Sequence, residues 1–170
     1  HFLELFPHGL TNEHHPVSAT DQLSALMMRE RAQQLLESLT GGRVHPMYVQ
    51  VGGLRQDTTI RWLEQIGEFT AMARDQFENV APYLGDPAFI DQFSGVGVIS
   101  HDMAVAYGAS GAVGRASGID IDLRRDHPYA AYGELRNELH IPTGTAGDIV
   151  TRLSVVRAQV GTALELIDSC

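Results

Sequence analysis

Residues 147–168 read GDIVTRLSVVRAQVGTALELID. Apolar residues recur in this segment every three or four positions, which is the spacing of one face of an α-helix. They are Ile149, Leu153, Val156, Val160, Leu164 and Ile167. Asp148 stands where its side chain can cap the first turn, so the segment predicts a long helix that starts there.

Two other long helices are predicted from the same spacing. One begins at Asp21 and ends at the pair Gly41-Gly42, because glycine is the residue that most often terminates a helix. The other follows the capping residues 57–59. Its apolar face, which we expect to lie in the core, is formed by Trp62, Ile66, Phe69, Ala73, Phe77, Val80 and Leu84.

Shorter elements fill the remaining sequence. We expect a short helix at 87–93 capped by Asp86 and another at 103–107 capped by Ser100. An extended segment is expected at 44–51, followed by a turn at Gly52-Gly53. A loop rich in Gly, Arg and Asp is predicted from Gly108 to about Pro142. The predicted fold class is therefore mainly α, a helical bundle with short β segments. Residues 1–20 are predicted to be an irregular, His-rich start, and residues 21–170 a single helical domain, part of a larger subunit.

The composition excludes several classes of function. The 170 residues carry a formal net charge of -9, and all twelve basic residues are Arg. Without Lys, neither Schiff-base chemistry nor a Walker-type phosphate loop is available. The acidic balance argues against nucleic acid as a partner. No apolar run reaches the roughly 18 residues that span a bilayer, so direct membrane insertion is not expected. The single cysteine, Cys170, excludes an internal disulfide and a cysteine-pair metal site.

Three groups of residues invite a chemical interpretation. Glycines at 108, 111, 114 and 118 could form a dinucleotide-binding turn, but a role in backbone packing is favoured because no strand precedes them. Asp120, Asp122 and Asp126 could bind a hard cation, but the interleaved Arg115, Arg124 and Arg125 favour structural ion pairs. A stand-alone metal site at His8, His14 and His15 is a further alternative, although a solvated terminus is favoured.

A longer pattern resembles a known family. Its tightest part is GRASG at 114–118 followed by DLRRDHPYAAY at 122–132. Earlier pieces occur in the same order, including TGGRVH at 40–45 and Gly52-Gly53. These motifs are similar to the large-subunit family shared by respiratory complex I, where it belongs to the quinone module of the NADH-quinone oxidoreductase, and membrane-bound group 4 nickel–iron hydrogenases.

The resemblance implies a helix-rich electron-transfer subunit. It would pack against a small iron–sulfur subunit, in a complex peripheral to the inner, cytoplasmic face of a membrane. A quinone or a nickel–iron centre would belong to the full subunit and an iron–sulfur cluster to the partner. The 170-residue stretch alone would hold no cofactor or metal, and we expect it to be inactive in isolation.

The resemblance also assigns residue roles. It implies a position close to the partner's cluster for Arg43, His45, Tyr48, Gly52 and Gly53. Arg115, Asp122, Arg124 and Asp126 are expected to form a structural ion-pair loop, and the catalytic residues stay unknown. The alternatives are a hydrogenase large subunit, and a non-catalytic assembly or interaction protein that keeps only the packing surface.

Overall fold

The computed structural model describes residues 19–170. The α-helices in that range are α1 (Ala19–Thr40), α2 (Ile60–Leu84), α3 (Pro87–Phe93), α4 (His101–Ala106), α5 (Gly111–Ala116), α6 (Leu123–Asp126) and α7 (Ile149–Asp168). A 3-10 helix covers Ala130–Gly133, and two short strands are β1 (Val49–Gln50) and β2 (Gly53–Leu54). The prediction of a mainly helical chain with short β segments is confirmed.

The chain divides into two compact units, His1–Asn79 and Val80–Cys170, with the boundary inside α2. The prediction of a single helical domain over residues 21–170 stays a prediction. The predicted irregular start covers residues 1–20, of which Ala19 and Thr20 already belong to α1. The remainder of that start and the metal-site candidates His8, His14 and His15 lie outside the described residues.

In the first unit, α1 ends where the sequence predicts. Gly41 adopts a φ of +76°, which favours glycine, and its amide donates to the carbonyl of Glu37 at 2.8 Å. Ala25, Met28 and Leu35 are the buried apolar residues of α1. The indole Nε1 of Trp62 on α2 donates to the carbonyl oxygen of Leu35 at 3.1 Å, which ties the two helices together.

The strands β1 and β2 form an antiparallel hairpin in the same unit. Val49 pairs with Leu54 and Gln50 with Gly53. Gly52 and Gly53 have φ values of +96° and +136°, a backbone conformation that other residues rarely adopt. The two-residue turn is formed by Val51 and Gly52, one position earlier than the predicted Gly52-Gly53, because Gly53 already pairs with Gln50.

In the second unit, side-chain caps start the helices as predicted. The Asp86 carboxylate accepts from the amides of Ala88 and Phe89, and Ser100 Oγ accepts from the amide of Met103. Asp148 Oδ1 accepts from the amide of Thr151 at the start of α7. Among the described side chains of this unit, the buried apolar residues are Leu84, Phe89, Ala104, Ala116, Leu139, Val155, Leu164 and Leu166.

Three sequence-based expectations differ from the structure. The loop predicted from Gly108 onward contains α5, α6 and the 3-10 helix, because glycines and aspartates at their ends supply turns and caps. The apolar face of α2 is only half-buried at Trp62, Ile66 and Phe69. On α7 the buried residues include Val155, Thr162 and Leu166, a stripe offset from the apolar periodicity. Thr162 can lie there because its hydroxyl donates to a backbone carbonyl.

Candidate functional site

The segment that leads into the hairpin is attached to α1 through Arg43. The guanidinium Nη1 lies 2.8 Å from Oε1 and 3.1 Å from Oε2 of Glu30, and Nε lies 2.6 Å from Oε2 of Glu37. Glu30 and Glu37 are seven residues apart, which places both on one face of α1. We call this arrangement the Arg43 clamp. The clamp side chains remain partly exposed to solvent.

The ionisation of the clamp follows from these contacts. The hydrogen bond from Arg43 is the main reason why the pKa of Glu30 lies below its usual value. The hydrogen bonds to Glu37 and then Glu30 raise the pKa of Arg43. Both shifts favour the charged forms of Glu30 and Arg43, and the guanidinium lies between the side chains of Glu30 and Glu37.

Other hydrogen bonds close the base of the hairpin. The amide Nε2 of Gln56 donates to the carbonyl of Leu39 at 2.6 Å, and the backbone amide of Arg55 donates to the carbonyl of Tyr48 at 2.8 Å. A Cβ atom at Gly42 would lie 2.9 Å from the carbonyl oxygen of His45, so the chain folds back tightly at this point. Residues 42–56 are thus held on α1 at both of their ends.

The predicted cluster-proximal residues occupy this held segment. The side chain of His45 is exposed. Tyr48 is half-buried, and its hydroxyl oxygen is buried with no hydrogen-bond partner among the described residues. Val44, Met47 and Val49 expose most of their apolar side chains, with at least 72% accessible. The segment thus presents an imidazole within an apolar, solvent-facing surface.

The second predicted set surrounds Asp122, which is 8% exposed. Arg124 binds its carboxylate with two bonds, Nε to Oδ1 at 2.9 Å and Nη2 to Oδ2 at 2.8 Å. Arg115, 7% exposed, donates from Nη1 to Oδ2 at 3.1 Å. With its oxygen towards Arg115, the Gln159 amide on α7 accepts from Nε at 3.2 Å and also from Nη2. The sequence analysis missed Gln159, because a polar residue gives no hydrophobic signal even where it lies on the same face of α7 as the buried Val155 and Thr162.

The pKa values of this network are shifted by different causes at its different groups. The hydrogen bonds from Arg124 are the main cause that lowers the pKa of Asp122, while burial lowers the pKa of Arg115. Asp126 Oδ2 accepts from the backbone amide of Asp122 at 2.9 Å, and Arg125 bonds both Asp126 and Asp120. Every aspartate of the loop therefore has a guanidinium or amide partner, which is the structural arrangement favoured over a cation site.

The motif at 114–118 packs against two other backbone segments. Ser117 Oγ donates to the carbonyl of Ile99 at 2.8 Å. The amide of Gly147 donates to the carbonyl of Ala116 at 2.9 Å, and its own carbonyl accepts from the amide of Ile99 at 3.0 Å. We call this meeting point the Gly147 junction. It is the packing role predicted for the glycine-rich region, although Gly147 itself was not predicted to belong to it.

Asp148 and Arg152 extend the junction to the loop after α3. Asp148 Oδ2 accepts from the amide of Gly95 at 2.9 Å. Arg152 donates to the carbonyl of Gly147 at 2.6 Å and to the carbonyl of Gly97 at 2.9 Å. The amide of Gly95 is the main cause that lowers the pKa of Asp148.

Two concave surfaces lie within the described part of the chain. A cleft of about 330 Å³ in the second unit is lined mostly by small residues around Gly108, Gly111 and Gly114, with Arg115 at its edge. A groove of about 470 Å³ in the first unit is lined by Met27, Met28 and Met72 among others. Neither contains a titratable cluster, since among residues 19–170 no three His, Cys, Asp or Glu side chains converge to hold a metal ion.

None of the helices in the described residues has the length and apolar character needed to cross a membrane. The two sets of predicted site residues lie in different units, the set around His45 in the first and the set around Asp122 in the second. The sequence analysis assigned no holding role to the residues that fix these sets in place, namely Glu30, Glu37, Gln159, Ser117 and Gly147.

Comparison with known proteins identifies the family. The family model described as "Respiratory-chain NADH dehydrogenase, 49 Kd subunit" matches residues 18–170. A D-type subunit of the NADH-quinone oxidoreductase of Streptomyces griseus is 41% identical over 154 residues, covering 89% of this chain and 39% of the relative. The corresponding D-type subunit of Streptomyces coelicolor is 42% identical over 149 residues, covering 86% of this chain and 38% of the relative.

A more distant relative gives the same result. The D-type subunit of the NADH-quinone oxidoreductase of Bacillus cereus is 33% identical over 147 residues, covering 86% of this chain and 40% of the relative. The chain therefore spans about two fifths of the length of these relatives. With a match over nearly all of its residues, the chain belongs to the family of the 49 kDa subunit of respiratory-chain NADH dehydrogenase.

Proposed function

We propose that the chain is part of an electron-transfer subunit of a membrane-associated NADH:quinone oxidoreductase. The observation that carries the proposal is the 41% identity over 89% of the chain with a D-type subunit of an NADH-quinone oxidoreductase. Its partners are a small iron–sulfur subunit and the other subunits of the complex. The subunit is peripheral, at the inner, cytoplasmic face of the membrane, and no nucleic acid is involved.

The held segment 42–56 is the part that faces the partner's iron–sulfur cluster in this proposal. Arg43, His45, Tyr48, Gly52 and Gly53 are its cluster-proximal residues. Support comes from the exposed imidazole of His45 and from the apolar side chains beside it, which suit a protein interface better than water. Gly52 and Gly53 carry no side chains, so the backbone at these two positions can approach the partner closely, and the fully exposed Val51 beside them adds to the apolar surface.

His45 supplies a coupling between electron and proton. An electron on a nearby cluster attracts a protonated imidazole, so reduction of the cluster favours the charged ring. Imidazole loses its proton near neutral pH. The potential of the cluster is therefore expected to fall as pH rises through that range.

The remaining assignments concern structure and cofactors. Arg115, Asp122, Arg124 and Asp126 hold the loop and take no part in electron transfer. The iron–sulfur cluster belongs to the partner, quinone is reduced in the full subunit, and the 170-residue stretch holds neither by itself. Isolated, it is inactive.

The test starts from the complete reading frame that contains this chain, tagged in its native cells. We expect the tagged protein to purify from membranes with an iron–sulfur subunit and to oxidise NADH with a soluble quinone. His45→Ala is expected to weaken the pH dependence of the cluster potential, measured by redox titration. Glu68→Gln, at an exposed position on α2, is the matched surface control and is expected to leave that dependence unchanged.

Other results would replace the proposal. A complex that evolves hydrogen and does not oxidise NADH would support the nickel–iron hydrogenase alternative. A tagged protein that joins a complex without contributing to any electron-transfer step would support the assembly or interaction protein. An unchanged pH dependence in the His45 variant would remove the assigned role of the imidazole.

A further inference from the structure

The Arg43 clamp fixes one end of the segment that carries His45. Arg43 precedes His45 by two residues, so the two Cα atoms are at most about 7 Å apart. The guanidinium is bonded through both Nη1 and Nε, and its partners Glu30 and Glu37 both stand on α1. A planar group bonded at two edges has little freedom to rotate, unlike a single-point ammonium contact.

The clamp is the attachment on this side that joins α1 to a residue beyond the turn. The turn itself is held by Thr40, whose hydroxyl donates to the carbonyl of Gly42 at 3.1 Å, but that contact ends at Gly42. The exposed Val44 and Met47 contribute little packing to the rest of the unit. Beyond the hairpin, the other attachment is the bond from Gln56 to the Leu39 carbonyl.

We propose that Glu30 and Glu37 are positioning residues, which act through Arg43 to hold the His45 segment in the orientation needed beside the partner's redox centre. This inference rests on the proposed function. The carboxylates touch neither substrate nor cluster, and their effect on electron transfer passes through the guanidinium. Without them Arg43 is released, and the 43–48 segment samples other orientations.

The test is a double-mutant cycle in the complete, purified complex. The variants are Glu30→Gln with Glu37→Gln, Arg43→Gln, and all three together, compared with Glu68→Gln as control. The readouts are the midpoint potential of the cluster next to this subunit and the rate of NADH-dependent quinone reduction. Because the acids act through Arg43, we expect the acid pair to shift the potential and to lower the rate about twofold or more. When Arg43→Gln is already present, adding Glu30→Gln and Glu37→Gln is expected to change neither the potential nor the rate any further.

A second variant and a second measurement cover the case in which the complex assembles poorly. Arg43→Lys keeps the charge but loses the two-edged contact, and we expect it to show part of the same loss. Hydrogen exchange of the amides of residues 43–48, measured by mass spectrometry in the complex, is expected to become faster in the acid variants and to stay unchanged in the control.

Several outcomes would overturn the inference. Additive effects of the acids and Arg43 would mean that the carboxylates act by charge alone. Acid variants that match Glu68→Gln in potential, rate and exchange would mean that the clamp does not position the segment. If His45→Ala changes the pH dependence of the potential while the clamp variants have no effect, the inference fails and the proposed function stands. If the wild-type complex reduces no quinone, the proposed function fails first.

Discussion

Gly147→Ala is expected to destabilise the second unit far more than an ordinary glycine substitution. Gly147 has a φ of +64°, where an L-residue costs about 1–2 kcal/mol. A Cβ atom there would also collide with the carbonyl oxygen of Ile99 and lie 3.1 Å from Oγ of Ser117. The Gly147 junction must therefore open.

The magnitude follows from the hydrogen bonds that opening breaks. They join Ile99 to Gly147, Gly147 to Ala116 and Ser117 to Ile99, with lengths between 2.8 and 3.0 Å. At about 1 kcal/mol for each buried bond, two or three lost bonds add about 2–3 kcal/mol to the backbone cost. We expect Gly147→Ala to lower the free energy of unfolding by about 3–5 kcal/mol in total.

Gly108→Ala is the matched control. Gly108 has a φ of +63°, but a Cβ atom there would meet nothing within 4 Å. This variant is expected to lose only the backbone cost of about 1–2 kcal/mol. Urea unfolding of the 170-residue chain, followed by far-ultraviolet circular dichroism, measures both losses. Equal losses for the two variants would refute the argument that the junction has no room for a side chain.

Further outcomes can be measured on the same chain. Asp122→Ala removes the carboxylate between two guanidinium groups and is expected to cost about 3–5 kcal/mol of stability in urea, whereas the exposed Asp120→Ala should change it little. The folded-state pKa values of Asp122 and Asp148 are lowered, so their contribution is present above about pH 4, the usual carboxyl range, and is lost as pH falls below it. Asp148→Asn is therefore expected to lose less stability than the wild type between neutral pH and pH 3, by urea titration at each pH. Trp62→Phe removes the donor to the Leu35 carbonyl and is expected to cost about 1 kcal/mol in the urea midpoint analysis.

The sequence predicted the elements whose ends are determined locally. Asp86, Ser100 and Asp148 each cap a helix as predicted, because a cap depends only on the two or three residues that follow it. The termination of α1 at Gly41 has the same local origin. Such signals are present in a short window of sequence and need no knowledge of the packing.

The sequence did not predict the contacts between residues that are far apart in the chain. The buried stripe of α7 includes Thr162, and Gln159 on the same face meets a guanidinium more than forty residues earlier. Hydrophobic periodicity does not detect polar residues that are buried because a distant residue supplies their hydrogen-bond partner. The same reason hid the clamp, since Glu30 and Glu37 look like ordinary exposed acids until Arg43 folds back on them.

The site followed a similar division. The ion-pair residues Arg115, Asp122 and Arg124 meet as the alternating charges suggest, since opposite charges close in sequence find each other within one loop. The roles proposed for the His45 segment rest on the family resemblance. An exposed imidazole does not by itself indicate whether a redox centre of another chain lies beside it.

The two oxygens of Asp148 serve two different segments. One accepts the amide of Thr151 at the start of α7 and the other accepts the amide of Gly95. A rotation of this single side chain releases both amides at once. Native-state hydrogen exchange of Gly95 and Thr151 should therefore follow one shared opening, and fraying of the first turn of α7 is communicated to a loop 53 residues earlier in the chain.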